Sequence, residues 1–234
     1  MPPAQPASVA PVRAGFWRRY VAYSLDWLLL SPLILLLTAM PLRTAWAATG
    51  KLTQVLRDGV MAHLSAADGL QSITALAASI SQDSALNAQL TADMAGLATA
   101  LTQAFLLAAG GSALYFIGFE ASRWQATPGK RSLGLVVSDP QGRRLPAGRV
   151  ALRFFAGSLS WLTLNIGHAM AAWRQDGRTL HDLIAGSRVS ATGPTPRWAG
   201  PLLAVQLLML LAMTVWSMLQ LFAFAAALVG NAGL

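Results

Sequence analysis

The chain has 234 residues, of which 55% are hydrophobic and 11% charged, with a mean hydropathy of +0.50. A soluble domain carries about a quarter charged residues, so this composition points to a membrane protein. Net charge is +8, yet the basic residues sit in short loops beside apolar runs, which fits topology better than nucleic-acid binding.

There is no cysteine, which excludes disulfides, thiolate nucleophiles and cysteine-ligated metals. The histidines, His63, His168 and His181, show no metal-ligand spacing. No cofactor and no metal are expected. Ser24, Ser31 and His168 are scattered and form no nucleophile–base set, so an enzyme is not expected either.

Residues 1–13 are rich in Pro and Ala and are expected to be disordered. An apolar segment then runs from about Tyr20 to Leu42, with Pro32 positioned to kink it. The alternative is a signal peptide ending at Ala45-Trp46-Ala47. The length of the run and the aspartate inside it argue for a membrane helix.

From 43 to 97 the chain turns to Ala, Ser, Thr and Gln, with Leu52, Val55, Leu56, Val60 and Leu64 at helical spacing. A helical extracytoplasmic insertion is expected here. Asp83 or Ser84 would cap a helix that continues into the second membrane segment, about Ala98–Ser122. That segment holds a small-residue patch, Gly110-Gly111-Ser112-Ala113, suited to close helix approach.

Arg123, Lys130, Arg131, Arg143, Arg144, Arg149 and Arg153 follow, against Asp139. With Arg13, Arg18 and Arg19 they place this loop and the N-terminus in the cytoplasm. Leu135-Val136-Val137 and Asp139-Pro140-Gln141-Gly142 suggest a short hairpin or turn. The following LPAGRVALRFF reads as the start of an interfacial helix whose arginines face lipid headgroups.

The third apolar stretch, Phe154–Trp173, is just long enough to span. A simple span would put Arg174, Arg178, Arg188 and Arg197 outside, so a re-entrant hairpin breaking near Asn165-Ile166-Gly167, or an interfacial placement, is favoured over a span. A last segment, Pro201–Val229, has no charge and is long enough to cross. The expected fold is thus an all-α integral membrane protein with three or four hydrophobic helical segments.

Charges inside or beside these segments are the candidate site. Arg19 and Asp26 are seven residues apart, about 20° around a helix and roughly 10.5 Å along it. They share a face but are too far apart for ideal direct pairing. Intramembrane ionisable groups usually face the bundle interior and mark function. Glu120 lies near the end of the second segment. Near the C-terminal side, RQDGRTLHDLIAGSRVS offers Asp176 or Thr179 as a cap and Gly186 as a stop. Asp182 there is either the acidic member of a capping box or an i+4 partner of Arg178. His181 adjoins it.

The motifs AGFWRRYVAYSLD (Ala14–Asp26), TPGKRSLGLVVSDPQGRRL (Thr127–Leu145), RVALRFFAG (Arg149–Gly157) and GRTLHDLIAGSRVS (Gly177–Ser190) together resemble the RDD family of small bacterial membrane proteins. The resemblance covers 14–190. It implies that Arg19, Asp26 and Asp182 match the arginine and two aspartates that name the family. Two departures are the 43–97 insertion and an extra transmembrane segment in 191–234.

The family has been suspected of transport, with cation–proton exchange proposed for some members. The expected location is the bacterial inner membrane, multi-pass, with the N-terminus placed in the cytoplasm by the basic residues. Arg19, Asp26, Asp182 and Glu120 are expected to meet near the cytoplasmic side, where Arg19 would offer its charge to Asp26 and a second acid. Lys130, His181 and Arg178 are second-tier candidates. Expected partners are the lipid bilayer, a small cation or proton and further copies of the chain, with no nucleic acid. The competing reading is a non-transporting scaffold in which the same charges lock helices together.

Overall fold

A computed structural model describes residues 12–66 and 73–231. In chain order the elements are β1 (Val12–Arg13), α1 (Phe16–Ala66), α2 (Ile73–Gln82), α3 (Ser84–Ala121), α4 (Pro128–Ser132), β2 (Leu135–Ser138), α5 (Ala147–Leu162), α6 (Ile166–Trp173), α7 (Leu180–Ile184), β3 (Arg188–Ala191) and α8 (Ala199–Asn231). The protein is mainly helical. Among the described residues three helices, α1, α3 and α8, are long and apolar enough to cross a membrane.

The chain divides into two compact units, 29–115 and the combination of 1–28 with 116–234. In the first, α1 continues as one helix through Pro32 and Pro41 and on into the inserted region. Its 51 residues correspond to roughly 75 Å, more than twice the hydrocarbon thickness of about 30 Å. Asp83 caps α3 by accepting from the amides of Ala85 (3.0 Å) and Leu86 (2.9 Å), as its sequence position suggests.

The small patch on α3 permits close approach to α1. A Cβ on Gly111 would lie 2.9 Å from Ile34 Cδ1. Farther along the same pair, a Cβ on Gly59 would lie 2.8 Å from Leu86 Cδ1, and Lys51 pairs with Asp93 at 2.6 Å. The insertion is thus a continuation of the two membrane helices, closed at its end by α2.

The second unit contains a feature that an all-helical expectation leaves out, a three-stranded antiparallel sheet ordered β1-β3-β2. Leu135 pairs with Ala191 and Ser138 with Arg188; Val12 also pairs with Ala191. β2 was legible as an extended run, but it does not close a local hairpin. Its partner, β3, is about fifty residues away in the chain. The turn after it is the expected one, with Asp139 Oδ1 accepting from the amides of Gln141 and Arg143.

Val12 and Arg13 belong to this sheet, so the ordered domain begins before residue 14. The rest of the expected disordered tail, 1–11, lies outside the described residues. At the other end the sheet includes Ala191, one residue past the expected limit. Val21, Ala22, Leu133, Leu135, Val137 and Val189 form the buried core beneath the sheet, with Leu202 and Leu203 of α8 packed against it.

The third apolar stretch is two helices. α5 ends at Leu162; Leu164 and Asn165 take positive φ (50° and 64°); α6 then begins at Ile166. A side chain disfavours that backbone region, so the break is a defined turn rather than a fluctuation of one helix. With 16 and 8 residues, neither helix is a span by itself. α8 differs sharply: its apolar window has no buried residue, so its side chains would face lipid or a partner.

Candidate functional site

Asp26 is 0% exposed and is satisfied by α4. Its Oδ2 accepts from the Thr127 hydroxyl at 2.5 Å and its Oδ1 from the Gly129 amide at 2.7 Å. Thr127 is also the N-cap of α4, its hydroxyl oxygen facing the Lys130 amide. The carboxylate therefore anchors the first turn of a short helix, where exposed amides and the helix dipole favour negative charge.

Gly129 is required for this approach. A Cβ there would strike the Ala22 carbonyl and stand 2.8 Å from Asp26 Cγ and Oδ1. The TPGK stretch is thus a docking piece for Asp26, with Thr127 and Gly129 as the contacts. These two residues escape a sequence reading because they lie about a hundred positions away from Asp26.

Arg19 gives its charge elsewhere. Nη1 donates to Asp182 Oδ2 at 2.7 Å and Nη2 to the Val189 carbonyl at 3.3 Å. The expectation that Arg19 holds Asp26 ionised is therefore corrected: their common face carries them to different partners.

Asp182 has both bland and specific roles at once. It completes a capping box with Thr179, accepting from the Thr179 amide at 3.1 Å while its own amide faces the Thr179 hydroxyl. Its Oδ1 accepts from Arg153 Nε at 3.1 Å and Ser187 Oγ at 3.2 Å. Arg178, the other expected local partner, pairs with Asp176 at 2.8 Å instead. Gly186, at φ +58°, follows the end of α7 as its position suggested.

Arg153 is the residue that unites the group. It is 6% exposed and bonds three partners: Glu120 Oε2 at 2.6 Å through Nη1, Asp182 through Nε, and His181 Nε2 at 3.2 Å through Nη2. The other oxygen of Glu120 accepts from Lys130. Lys130 Nζ also stands 5.7 Å from the Phe116 ring centroid. A continuous chain results, Arg19–Asp182–Arg153–Glu120–Lys130, contributed by α1, α7, α5, α3 and α4.

The sequence reading placed Arg153 only among the topology-setting basic residues, and expected the arginines of α5 to face headgroups. They point inward. Arg149 donates to the carbonyls of Ala185 (2.9 Å) and Gly186 (2.7 Å). The available signal was helical spacing, since Arg149, Arg153, Gly157 and Ser160 share one face of α5.

The electrostatics follow from burial and pairing. Burial alone would raise the Asp182 carboxyl, but Arg153 first and Arg19 next hold it well below the usual carboxylate range. It is ionised at neutral pH. Burial, then Arg153, pushes the His181 ring well below its ordinary value against the pull of Asp182. That ring is neutral. An arginine can only donate, so His181 Nε2 accepts from Arg153 and the ring proton lies on Nδ1. Among the described residues no group of three or more His, Asp or Glu side chains is arranged to hold a metal ion.

Fold and site together define a membrane-embedded helical protein with a buried chain of alternating charges, tied to a small sheet. The RDD family matches residues 13–186, and the chain belongs to that family. It is also similar to the uncharacterized protein YxaI of Bacillus subtilis (strain 168), 41% identical over 78 residues, 33% of this chain. It spans about half, 51%, of that relative's length. No solved structure matches.

Proposed function

We propose that this protein moves a small monovalent cation in exchange for protons, with the buried Arg19–Asp182–Arg153–Glu120–Lys130 chain as its closed gate. The observation that carries this reading is the position of Arg153, shared between two acids. A cation that reaches Glu120 or Asp182 competes with Arg153 for that acid. Arg153 can then concentrate its hydrogen bonds on the other acid, so the network has two arrangements of similar chemistry. Intramembrane ionisable groups of this kind mark ion and proton pathways. The paired helices α5 and α6, joined by a turn, resemble the broken helices of carriers.

Asp26 is the hinge side of this scheme, holding α4, and with it Lys130, in place. The membrane would be the bacterial inner membrane with a cytoplasmic N-terminus, as the basic loops suggest. Further copies of the chain would complete the walls, with the exposed face of α8 available to them.

A second reading has its own support. All four carboxylate oxygens of Glu120 and Asp182 have hydrogen-bond partners, as a permanent lock between helices requires. Under it the protein is a scaffold and moves nothing.

Flux in sealed vesicles separates the two. Purified protein is reconstituted, and lumenal pH is followed on addition of Na⁺, K⁺ or Li⁺. Cation-driven proton movement that is lost in Asp182→Asn, at matched folded protein, supports exchange. Equal leak with wild type, Asp182→Asn and empty vesicles refutes it and leaves the scaffold.

A further inference from the structure

Beyond the charged chain, five buried polar atoms lack a hydrogen-bond partner among the described residues; Asp93 Oδ2 and Gln206 Oε1 stand apart, and the other three are His181 Nδ1, Ser160 Oγ and His168 Nδ1. They lie in one place. Ser160 is 0% exposed and continues the inward face of α5 two turns beyond Arg153. The His168 and His181 rings are 5.0 Å apart, centroid to centroid. Gly157 lies between Arg153 and Ser160 on that face, and a Cβ there would be 4.0 Å from His181 Nδ1. Gly167, beside His168, packs so closely on Ser160 that a Cβ would strike its hydroxyl. Two glycines thus bring backbone, rather than side chain, next to the three atoms.

The chemistry of the set is specific. Because Arg153 occupies His181 Nε2, His181 presents an N–H at Nδ1 and cannot ligate a metal there without losing its proton. Ser160 can donate or accept. A buried donor left without an acceptor is costly, because the water it gave up is not replaced. The species that satisfies an N–H, a hydroxyl and an imidazole nitrogen together is a water molecule, which typically makes about three such bonds when buried.

We propose that His181, Ser160 and His168 hold an ordered water, and that this water and His168 form a proton-relay site beside the charged chain. A proton arriving as hydronium passes to the lone pair of a His168 ring nitrogen, giving imidazolium and water; no other bond changes. His181 stays neutral and orients the water through its Nδ1–H. The groups facing His168 are Arg153 from α5, Asp182 and His181 from α7, Lys130 from α4 and Tyr23 from α1. His168 is the least buried of the three residues and the natural entry point. The relay part rests on the exchange proposed above; the water site does not.

The test uses the full chain in phospholipid nanodiscs with nitrogen-15-labelled histidine. The expected result is the Nδ1–H tautomer at His181, with magnetisation transfer from water to that proton. His168, which burial and then Arg153 hold below its ordinary value, should take up a proton before His181 does as pH falls. Gly157→Ala, which puts a methyl into the space beside Nδ1, should remove the water transfer and keep the tautomer. An Nε2–H tautomer at His181, or water transfer absent in wild type or unchanged in both Gly157→Ala and Ser160→Ala, overturns the site. In vesicles, His168→Gln should lower proton-coupled flux by roughly a hundredfold, the contribution of a positioned proton-transfer group. Unchanged flux in that variant overturns the relay while leaving exchange intact. No flux in wild type, with the water signal present, defeats exchange and the relay and leaves the water site standing.

Discussion

Replacing Arg153 by methionine is the most informative perturbation of the charged chain. Methionine keeps most of the aliphatic volume, so the change reports on charge more than on packing. In the native protein Arg153 is bound to Glu120 at 2.6 Å and Asp182 at 3.1 Å. Losing one partner of a buried pair costs about 3–5 kcal/mol, because the other charge stays buried. Here two acids lose a partner, but each retains a second cation, Lys130 and Arg19 respectively. The expected loss is therefore about 3–5 kcal/mol rather than twice that. At roughly 2–4 °C per kcal/mol for a chain of this size, Tm should fall by about 6–20 °C. Arg153→Lys keeps the charge but cannot present the guanidinium fork to both acids, so it should fall between the two. The assay is thermal unfolding in detergent, followed by the fraction of protein that remains monodisperse on size exclusion. A Tm for Arg153→Met within about 2 °C of wild type would refute the claim that Arg153 holds the acids together.

Two further expectations can be checked by the same assay. Gly129→Ala should destabilise the protein by about 1–3 kcal/mol through overpacking, whereas Asp26→Asn loses one charge-assisted acceptor for about 1–3 kcal/mol. Combining the two should cost less than their sum, because both act on one contact; strict additivity would argue against that contact. The second concerns pH. The His181 ring titrates well below its ordinary value in the native state, mainly through burial and then Arg153. On unfolding it takes up a proton once pH falls below about 6.5, so stability should drop as pH falls below that point, by up to about 1.4 kcal/mol per unit. Comparing Tm at neutral and mildly acid pH, His181→Gln should show a shallower fall than wild type. An identical fall in both would mean that His181 is not buried neutral.

Much of the architecture could be read in advance because its causes are local. Asp83 capping α3, the Thr179–Asp182 capping box, Gly186 after α7 and the turn at Asp139–Gly142 all act within a few residues of their own position. The break between α5 and α6 was also foreshadowed, since a span through Asn165 and Gly167 would set four following arginines against the positive-inside bias. What escaped was nonlocal. The sheet joins Val12, Leu135 and Ala191, and an extended run shows no mark of a partner so distant.

The same distinction governs the site. Composition alone determined that this is a membrane protein, because so few charges cannot solvate so much apolar surface. The residue types and their order singled out Arg19, Asp26, Glu120 and Asp182, because a charge in an apolar segment must find a partner. Which partner was decided only by the tertiary structure. Helical geometry puts Arg19 and Asp26 on one face, yet packing delivers Arg19 to Asp182 and Asp26 to Thr127 and Gly129. Arg153 looked like one more topology-setting cation until the packing of α5 against α7 turned it inward. Sequence spacing fixes the direction in which a side chain leaves its own helix, and the docking of the other helices determines what it meets there.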